Sequence, residues 1–335
     1  MLHEKQFKIS PIGSSSYRRI HQAAYTQNSR IKMSIPSRVN ITEIQHLPLV
    51  FYGLTPSLQQ KAAKELNESE ENVTTCLAEM KELIAKESTP YRKDDDFLIQ
   101  FLRAKKYDVK KSFQLLKGFS HQQYLQTRFF GLEKIAKVAS FLDYRVCGVL
   151  PIRDHEGRAL FYFIGNRFSA DEIDHKLIIE ALLLFALSFP ATQINGICFI
   201  ADGSVFSMEN LRVIYRYVRT FVPIMHICPA RMKRFDCINT NRFCQLAFNL
   251  IRPFLPSKIL RRITLHGNQK ALLKIYSPHI LPEEFGGTLG PLSEVQSVWI
   301  DDFRKMMSKF VESSQYLQSY DRNLNSIINE IEKNW

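Results

Sequence analysis

Two clusters of basic side chains flank a short apolar segment between residues 231 and 262. The cations are Arg231, Lys233, Arg234, Lys258, Arg261 and Arg262. Guanidinium groups can hold phosphate oxygens through two parallel hydrogen bonds, and ammonium groups act on phosphates as point charges. The pattern therefore indicates a surface that contacts anionic headgroups, although lysine and arginine are also ordinary surface residues in a chain with a net charge of +12.

Between the two clusters, apolar residues recur at the spacing of one helix face. They are Phe243, Cys244, Ala247, Phe248 and Ile251. The pattern predicts an amphipathic helix from about Asn241 to Arg252, which Pro253 ends. Such a helix can close as a lid over an apolar ligand, lie on a bilayer, or pack as an ordinary surface helix on a core. The helix pattern alone leaves these interpretations open.

Residues that could carry out catalysis are not arranged in a recognisable motif. The chain has no G-x-S-x-G, no H-E-x-x-H and no glycine-rich phosphate loop, which serve nucleophilic, zinc-dependent and nucleotide-binding chemistry. Its nine histidines are dispersed, and its six cysteines include no C-x-x-C pair. We therefore expect no enzyme activity, no metal site and no cofactor, and we expect reduced cysteines in a reducing compartment.

Charge and hydropathy narrow the choice of partners. The positive net charge favours nucleic acids or acidic membranes, but no basic patch with interleaved aromatic residues is present, so nucleic-acid binding is not expected. The longest apolar stretch, Leu177–Ala191, spans about 15 residues and contains Glu180 and Pro190, whereas a membrane-spanning helix needs roughly 20 apolar residues. We therefore expect contact with a membrane surface rather than insertion across it.

Helix-start signals dominate the region that follows residue 54. Thr55 precedes a proline, Asp94 begins an acidic run, and Asp108 precedes another apolar periodic segment, so each is expected to start a helix. Asn67 with Glu70 gives a capping-box pattern before a further helix. These signals predict a small helical bundle.

Strand signals alternate with helix signals in the rest of the chain. Strands are predicted at Val146–Ile152, Ala159–Ile164, Ile197–Ala201, Arg234–Ile238 and Ile263–His266. Helices are predicted at Asp171–Leu187, at about Met208–Val222, at the amphipathic segment, and from about Val295 to the end. This alternation predicts an α/β domain with a mostly parallel sheet.

Five segments, taken in order, carry a resemblance to a known family. They are Asp95–Asp108, Ile238–Asn239, Ile251–Leu255, His266–Gly267 and Ile280–Gly287. These segments resemble motifs of the CRAL-TRIO (Sec14-like) lipid-binding family, and the resemblance covers about residues 54–310. It is greatest for the branch that contains α-tocopherol transfer proteins and retinaldehyde-binding proteins. Several motifs in the same order make this signal more specific than any one of them alone.

The resemblance implies an N-terminal helical bundle followed by a CRAL-TRIO α/β sandwich, with a mostly parallel sheet and a gate helix over an apolar cavity. The implied divisions are 1–48, a poorly ordered basic extension; 49–130, the helical domain; 131–292, the lipid-binding domain; and 293–335, a helical tail. The extension could be a transit peptide, an arm with affinity for anionic membranes, or a tail without a role. His266 would be a packing residue at a strand end.

Carried over by position, the resemblance implies a cavity wall of mostly aliphatic and aromatic side chains. Its residues would be Ile179, Leu183, Ile197, Phe199, Phe206, Phe221, Ile224, Phe235, Cys244, Phe248, Ile251 and Phe254. In tocopherol-transfer proteins the positions that match Ile179 and Leu183 are hydroxylated, so a ligand hydroxyl here would lack a partner at a cost of about 1–3 kcal/mol. This favours a less polar lipid or another anchoring group.

The resemblance also implies a basic cleft for phosphoinositides at Lys105, Arg231, Lys258 and Arg262, and all four positions are cationic. The implied function is an intracellular protein that carries a small apolar lipid, tocopherol- or retinoid-like, and exchanges it at membranes with phosphatidylinositol bisphosphate-like headgroups. The alternative is a membrane-trafficking adaptor that binds phosphoinositides without moving cargo. Either protein would be cytoplasmic, with reversible peripheral contact with membranes.

Overall fold

The first part of the fold is a group of four helices, which a computed structural model shows in detail. The model describes residues 46–87, 89, 91–136, 147–164, 175–207 and 226–318. The helices are α1 (Pro56–Leu66), α2 (Glu70–Ala85), α3 (Asp95–Ala104) and α4 (Val109–Ala136). The predicted helical bundle is therefore present, while residues 1–45 of the predicted extension lie outside the described residues.

The caps of these helices follow the predicted start signals at three of four positions. The Thr55, Asp94 and Asp108 side chains accept hydrogen bonds from backbone amides three residues later, which satisfies donors at the helix starts. The capping box predicted at Asn67 is wrong. Ser69 caps α2 instead, and Asn67 ends α1 with a φ of 65°, because asparagine tolerates the left-handed conformation common at helix ends.

The helical region contacts the rest of the protein through Arg103, which also forms a buried ion pair with Glu68. Arg103 of α3 donates from Nε and Nη2 to the Glu68 carboxylate at 2.8 and 2.6 Å, and from Nη1 to Gln193 Oε1 at 2.6 Å. Both charged side chains are almost fully buried, so their mutual pairing is needed to offset desolvation. The interaction fixes the C-terminal end of α3, where Lys105 follows.

A five-stranded sheet forms the second part of the fold, in the order β1-β2-β3-β4-β5. The strands are β1 (Cys147–Val149), β2 (Ala159–Ile164), β3 (Ile197–Asp202), β4 (Met232–Ile238) and β5 (Ile263–Leu265). β1 pairs with β2 in antiparallel fashion, and the other three pairs are parallel. The mostly parallel α/β sheet predicted from the sequence is confirmed.

Six further α-helices lie in the described ranges. They are α5 (His175–Leu187), α6 (Pro190–Asn195), α7 (Arg242–Ile251), α8 (Ser257–Leu260), α9 (Leu292–Val295) and α10 (Ile300–Gln318). The helix predicted at about Met208–Val222 lies outside the described residues, as do residues 319–335 of the predicted helical tail. Within the described ranges, no helix is long and apolar enough to cross a membrane.

Side chains of the sheet alternate between two packed faces, as the period of two requires. On the first face, Phe161, Phe199 and Phe235 lie opposite one another in register on β2, β3 and β4. Residues of α5 and the beginning of α10, including Phe185 and Phe303, cover this face together with Trp299, which precedes α10. The second face packs against the segment after β5, with these buried members: Leu272, Tyr276, Ile280, Leu281 and Phe285.

Candidate functional site

Four cations named from the sequence come from three separate segments, one of which contains both Lys258 and Arg262. Lys105 follows the last residue of α3, Arg231 precedes β4, Lys258 lies in α8, and Arg262 precedes β5. Lys105 is placed by a tight turn in which Lys106 and Tyr107 have φ angles of 55° and 62°. Left-handed conformations are uncommon for such residues, so this turn is a specific local geometry.

Lys258 shows that these cations lie within electrostatic reach of one another. Arg262 lowers the pKa of Lys258 most strongly, and partial burial, Lys105 and Arg231 lower it further. Like charges disfavour an additional positive charge, so the folded chain brings these groups together against their mutual repulsion. An anionic ligand would relieve this repulsion, because opposite charge favours the protonated lysine.

Two members of the cluster are held by backbone carbonyl groups. Arg231 donates from Nη1 to the Ile194 carbonyl oxygen at 2.7 Å, and Arg262 donates from Nη1 to that of Met232. Burial together with Arg231 and Arg261 lowers the pKa of Arg262. Because each guanidinium has five N–H groups, these anchors fix its position and leave other donors for a ligand.

The cluster also contains a carboxylate, Glu65, that the sequence analysis did not assign to it. Glu65 of α1 lies 3.3 Å from Arg231 Nη2 and 3.8 Å from Lys233 Nζ, measured from its Oε2 atom. Burial opposes ionisation of Glu65, but Lys233, Lys61 and Arg231 outweigh it and lower the carboxyl pKa. Arg231 and Lys233, two apart at the start of β4, carry a sequence signal for a shared strand face. No feature of the sequence around these two residues indicates that they pair with Glu65 of α1.

Five of the residues named for the apolar wall form one packed group. Ile179 and Leu183 of α5 and Ile197 and Phe199 of β3 are buried in the same hydrophobic cluster, and half-buried Phe235 packs against it. Phe199 lies at the centre of a row of rings, with centroids 5.3 Å from Phe161, 5.8 Å from Phe163 and 5.8 Å from Phe235. These contacts provide an extended apolar surface on the first sheet face.

A small cavity adjoins this group between α4 and α5. Its volume is about 20 Å³, and Phe119, Glu180, Leu183 and Cys228 are among its lining residues. That volume suits about one water molecule, so this cavity is too small to be a lipid site by itself. Phe221 and Ile224, which were also named for the wall, lie outside the described residues.

Helix α7 occupies the position predicted for the amphipathic segment. Asn241 caps it by accepting hydrogen bonds from the Phe243 and Cys244 amides, both at 2.9 Å. Cys244 is buried, whereas Phe248 and Ile251 are half-buried. Half-buried Phe206 lies near the start of this helix, since its carbonyl oxygen accepts from Asn241 Nδ2 at 2.8 Å.

The outer side of α7 exposes an apolar stripe, which we define as Leu246, Leu250 and Phe254. Their side chains are 44%, 58% and 71% exposed. Exposure of Phe254 differs from its predicted place in the cavity wall. The resemblance placed Phe254 in the wall by position, but the α-helix ends at Ile251 and residues 252–254 form a 3₁₀ turn. Phe254 therefore does not continue the helix face that carries Cys244 and Phe248. The sequence analysis missed the stripe, although Leu246 and Leu250 have the i, i+4 spacing of one helix face.

A polar cluster on the second sheet face was also missed. The fully buried Asp236 carboxylate lies 2.7 Å from His266 Nε2 and accepts from Arg234 Nε at 2.6 Å and Tyr276 Oη at 2.9 Å. His266 therefore pairs with a buried charge at the end of β5, beyond its predicted packing role. Among the described residues no group of three or more His, Cys, Asp or Glu side chains is arranged to hold a metal ion.

Comparisons with known proteins identify the family. The model of the CRAL/TRIO domain matches residues 143–287, and that of the CRAL/TRIO N-terminal domain matches residues 64–118. Clavesin-1 of Rattus norvegicus is 30% identical over 254 residues, covering 71% of this chain and 70% of clavesin-1. Human clavesin-2 is 28% identical over 249 residues, covering 71% of this chain and 76% of clavesin-2.

The chain is also similar to a solved structure. The crystal structure of Sfh5 covers 77% of this chain and 98% of its own, with a TM-score of 0.48 and 14% sequence identity. The identification itself follows from the two domain matches and the clavesin similarity. The resemblance predicted from the motifs is confirmed, and the chain belongs to the CRAL-TRIO (Sec14-like) family of lipid-binding and lipid-transfer proteins.

Proposed function

We propose that this protein carries a small apolar lipid, tocopherol- or retinoid-like, and exchanges it at membranes that contain phosphoinositides. The lipid would lie on the first sheet face beside Phe199 and α5, with α7 as the lid. The membrane would be recognised by Lys105, Arg231, Lys258 and Arg262. Contact with the membrane would be peripheral and reversible, and the proposal assigns no catalytic step to the chain.

The observation that carries this proposal is the convergence of cations on Lys258. Arg262, Lys105 and Arg231 all act on it, although they come from different elements. A phosphorylated inositol ring offers several anionic groups on a rigid frame, and a cluster of arginine and lysine from several segments suits such a ligand. A single exposed lysine on a helix would not provide this arrangement.

The apolar stripe of α7 supports a membrane as the source of those phosphates. Only residues 252–256 separate α7 from α8, which carries Lys258. An exposed apolar helix face beside cations is typical of segments that lie at a bilayer interface. Leu250 and Phe254 would enter the boundary between headgroups and acyl chains, while the cations would meet the phosphates.

The apolar wall supports a cargo of low polarity. Ile179, Leu183 and Phe199 present hydrocarbon or aromatic surface where the structure describes them. A ligand hydroxyl that faced Ile179 or Leu183 would lose a hydrogen bond at a cost of about 1–3 kcal/mol. An apolar ring or chain would match this surface without such a cost.

Lid opening explains why exchange would need a membrane. Movement of α7 away from the sheet would expose Phe248 and Ile251 more fully, and each large apolar side chain costs about 1.5–3 kcal/mol when it is transferred to water. A bilayer recovers part of this cost because the same face enters the lipid. The open state would therefore be rare in buffer and more populated on a vesicle.

Transfer of a fluorescent apolar lipid between vesicles tests the proposal. Acceptor vesicles with and without phosphatidylinositol bisphosphate would be compared at equal total charge, which separates headgroup recognition from general attraction. Faster transfer to the phosphoinositide vesicles supports the proposal. Binding to those vesicles without transfer supports the adaptor alternative, and equal release in the absence of vesicles contradicts the lid mechanism.

A further inference from the structure

Two cysteines lie side by side where α7 leaves the sheet. Cys237 belongs to β4 and Cys244 to the first turn of α7, and their Sγ atoms are 3.7 Å apart. Both side chains are reduced and buried. A disulfide bond is about 2.05 Å long, so the sulfurs would have to approach by about 1.7 Å. Changes in the two side-chain torsion angles can supply a movement of this size.

Gly203 leaves the space that this pair occupies. A Cβ atom built at Gly203 would lie 3.0 Å from Cys237 Sγ and 3.3 Å from Cys244 Sγ. A side chain at residue 203 would therefore press on both sulfur atoms. Close approach of the backbone at this point packs the two thiols together between β3, β4 and α7.

The surroundings of the two sulfur atoms differ in a way that favours reaction between them. Cys244 lies at the N-terminal end of α7, where its amide donates to Asn241 Oδ1 and where the helix dipole favours a thiolate. A hydrogen bond from Cys237 lowers the pKa of Cys244, and the same hydrogen bond, together with burial, raises the pKa of Cys237. Cys244 is thus suited to act as the attacking thiolate and Cys237 as the second thiol.

The connection between the two cysteines already forms three hydrogen bonds with residues at or beyond the ends of β3 and β5. Asn239 Nδ2 donates to Asp202 Oδ1 at 3.2 Å, the Thr240 amide donates to the His266 carbonyl oxygen at 3.0 Å, and Asn241 Nδ2 donates to the Phe206 carbonyl oxygen. A covalent bond from β4 to the first turn of α7 would add a link that thermal motion cannot break. The helix could then no longer swing about residues 239–241.

We propose that Cys237 and Cys244 form a reversible disulfide that fastens α7 to the sheet and slows lipid exchange. The effect on exchange rests on the lid function proposed above, whereas formation of the bond does not. The oxidant is a hydroperoxide such as hydrogen peroxide. The Cys244 thiolate attacks one peroxide oxygen, the O–O bond breaks, and the departing hydroxide takes a proton to become water.

The second step closes the bond. Cys237 loses its proton and attacks the sulfur of the Cys244 sulfenic acid, the S–O bond breaks, and the hydroxide leaves as a second water molecule. In total, two thiols are oxidised to one disulfide while one hydrogen peroxide is reduced to two water molecules. A dithiol reductant reverses the change by thiol–disulfide exchange.

Peptide mapping of the full chain tests the bond directly. After exposure to hydrogen peroxide and alkylation of free thiols, trypsin would release Phe235–Arg242 and Phe243–Lys258, each with one cysteine, because cleavage follows Arg242 and does not occur before Pro253. We expect these peptides to be joined by a disulfide that dithiothreitol removes. Alkylated, separate peptides after oxidation would overturn the proposal, as would joining of either one to Cys76 or Cys228 instead.

Hydrogen exchange and transfer measurements test the consequence. Oxidation should slow amide exchange of residues 242–251 and vesicle-stimulated lipid release at least tenfold, and dithiothreitol should reverse both effects. Cys244→Ala should abolish both responses, whereas Cys76→Ala, which removes a partly exposed thiol outside this pair, should retain them. If oxidation slowed amide exchange but the reduced protein transferred no lipid, the transfer function would be contradicted. The proposal that the disulfide forms would still hold. A joined peptide with unchanged amide exchange in α7 would contradict the fastening.

Discussion

Glu65 lies 3.3 Å from Arg231 through its Oε2 and the arginine Nη2 atom. The same carboxylate oxygen lies 3.8 Å from Lys233. Glu65 thus occupies the kind of position that a phosphate oxygen would take in the basic cluster. Since neighbouring cations lower the pKa of Glu65, it stays ionised at neutral pH and loses its charge only as the pH falls through that lowered value.

Removal of this carboxylate charge should strengthen anion binding. Glu65→Gln leaves Arg231 and Lys233 without their internal counter-ion, and we expect vesicle affinity to increase by up to about fivefold, since a partly exposed ion pair contributes about 0.2–1 kcal/mol. Sedimentation with phosphoinositide vesicles at low salt would measure it. Glu82→Gln removes an exposed carboxylate on α2 and is the matched control. Equal affinity in both variants would contradict the idea that Glu65 competes with lipid phosphates for Arg231 and Lys233.

Combined removal of the four cations should have the largest effect on membrane affinity. Each cation near an anionic surface contributes about 1 kcal/mol, so replacing Lys105, Arg231, Lys258 and Arg262 by alanine should cost about 4 kcal/mol, on the order of a thousandfold in partitioning. The loss should shrink at higher salt, because exposed charges are screened. Vesicle sedimentation across a salt series would measure both effects.

The control must reproduce the change in net charge. Alanine at Lys86, Lys93, Lys110 and Lys309 removes four exposed lysines and should alter partitioning far less. Arg231 and Arg262 also bond to backbone carbonyl groups, so the Lys105→Ala/Lys258→Ala pair provides a variant in which these anchors remain. Similar partitioning of the cluster and control variants would contradict the assignment of these four cations to membrane binding.

The apolar stripe of α7 should contribute to membrane contact without contributing much to stability. Leu250→Gln with Phe254→Gln replaces side chains that are 58% and 71% exposed, so the free energy of unfolding should change by about 0.5 kcal/mol or less for each site. Vesicle binding should fall at least tenfold, because two inserted apolar side chains are lost. Leu273→Gln, at an exposed leucine outside α7, is the control. Unchanged binding by the double variant would contradict insertion of the stripe.

The wall of α5 should determine whether a lipid fits. Leu183→Trp adds volume in the cluster around Phe199 and should lower the fraction of protein that retains a lipid in native mass spectrometry. Added volume in a packed core costs about 1–3 kcal/mol, so thermal unfolding must be measured alongside. Leu184→Trp places the same ring toward the helical cluster. Full occupancy in the Leu183 variant would contradict this cavity placement.

Local sequence signals were sufficient for most of the secondary structure. Strand β2 has the predicted bounds Ala159–Ile164, because a compact apolar run lies between clear turn residues. The α7 helix lies within one residue of its predicted ends. Asn67 shows the limit of such signals, since one residue type serves both helix starts and helix ends and only the backbone conformation distinguishes them.

Residue pairs formed by tertiary packing could not be predicted in this way. The pairing of Glu65 with Arg231 joins α1 to β4, and that of Asp236 with His266 joins two neighbouring strands. Neither pair has a fixed spacing in the chain. The set of Lys105, Arg231, Lys258 and Arg262 came from family motifs, because nothing in their spacing indicates that they meet.

The buried pairing of Asp236 with His266 leads to a prediction about stability and the lid together. Asp236 is fully buried and has three partners, Arg234, His266 and Tyr276. A buried carboxylate is stable only while its charge is matched by donors. The carbonyl oxygen of His266 also accepts from the Thr240 amide, so the same residue contacts the connection that leads into α7.

Asp236→Asn should therefore destabilise the fold and loosen the start of the lid. The amide cannot accept from all three donors and leaves Arg234 and Tyr276 with poorer partners, so we expect the free energy of unfolding to fall by about 3–5 kcal/mol, the range for breaking a buried pair. Urea unfolding would measure this loss, and amide exchange at Thr240 should become faster than in the parent protein under native conditions. Asp301→Asn, which removes an exposed carboxylate paired with Arg304, should change stability by about 0.5 kcal/mol or less. If both variants unfolded at the same urea concentration, the predicted contribution of the buried network to stability would be wrong. If Asp236→Asn were destabilised but amide exchange at Thr240 were unchanged, the network would not control the connection that leads into α7.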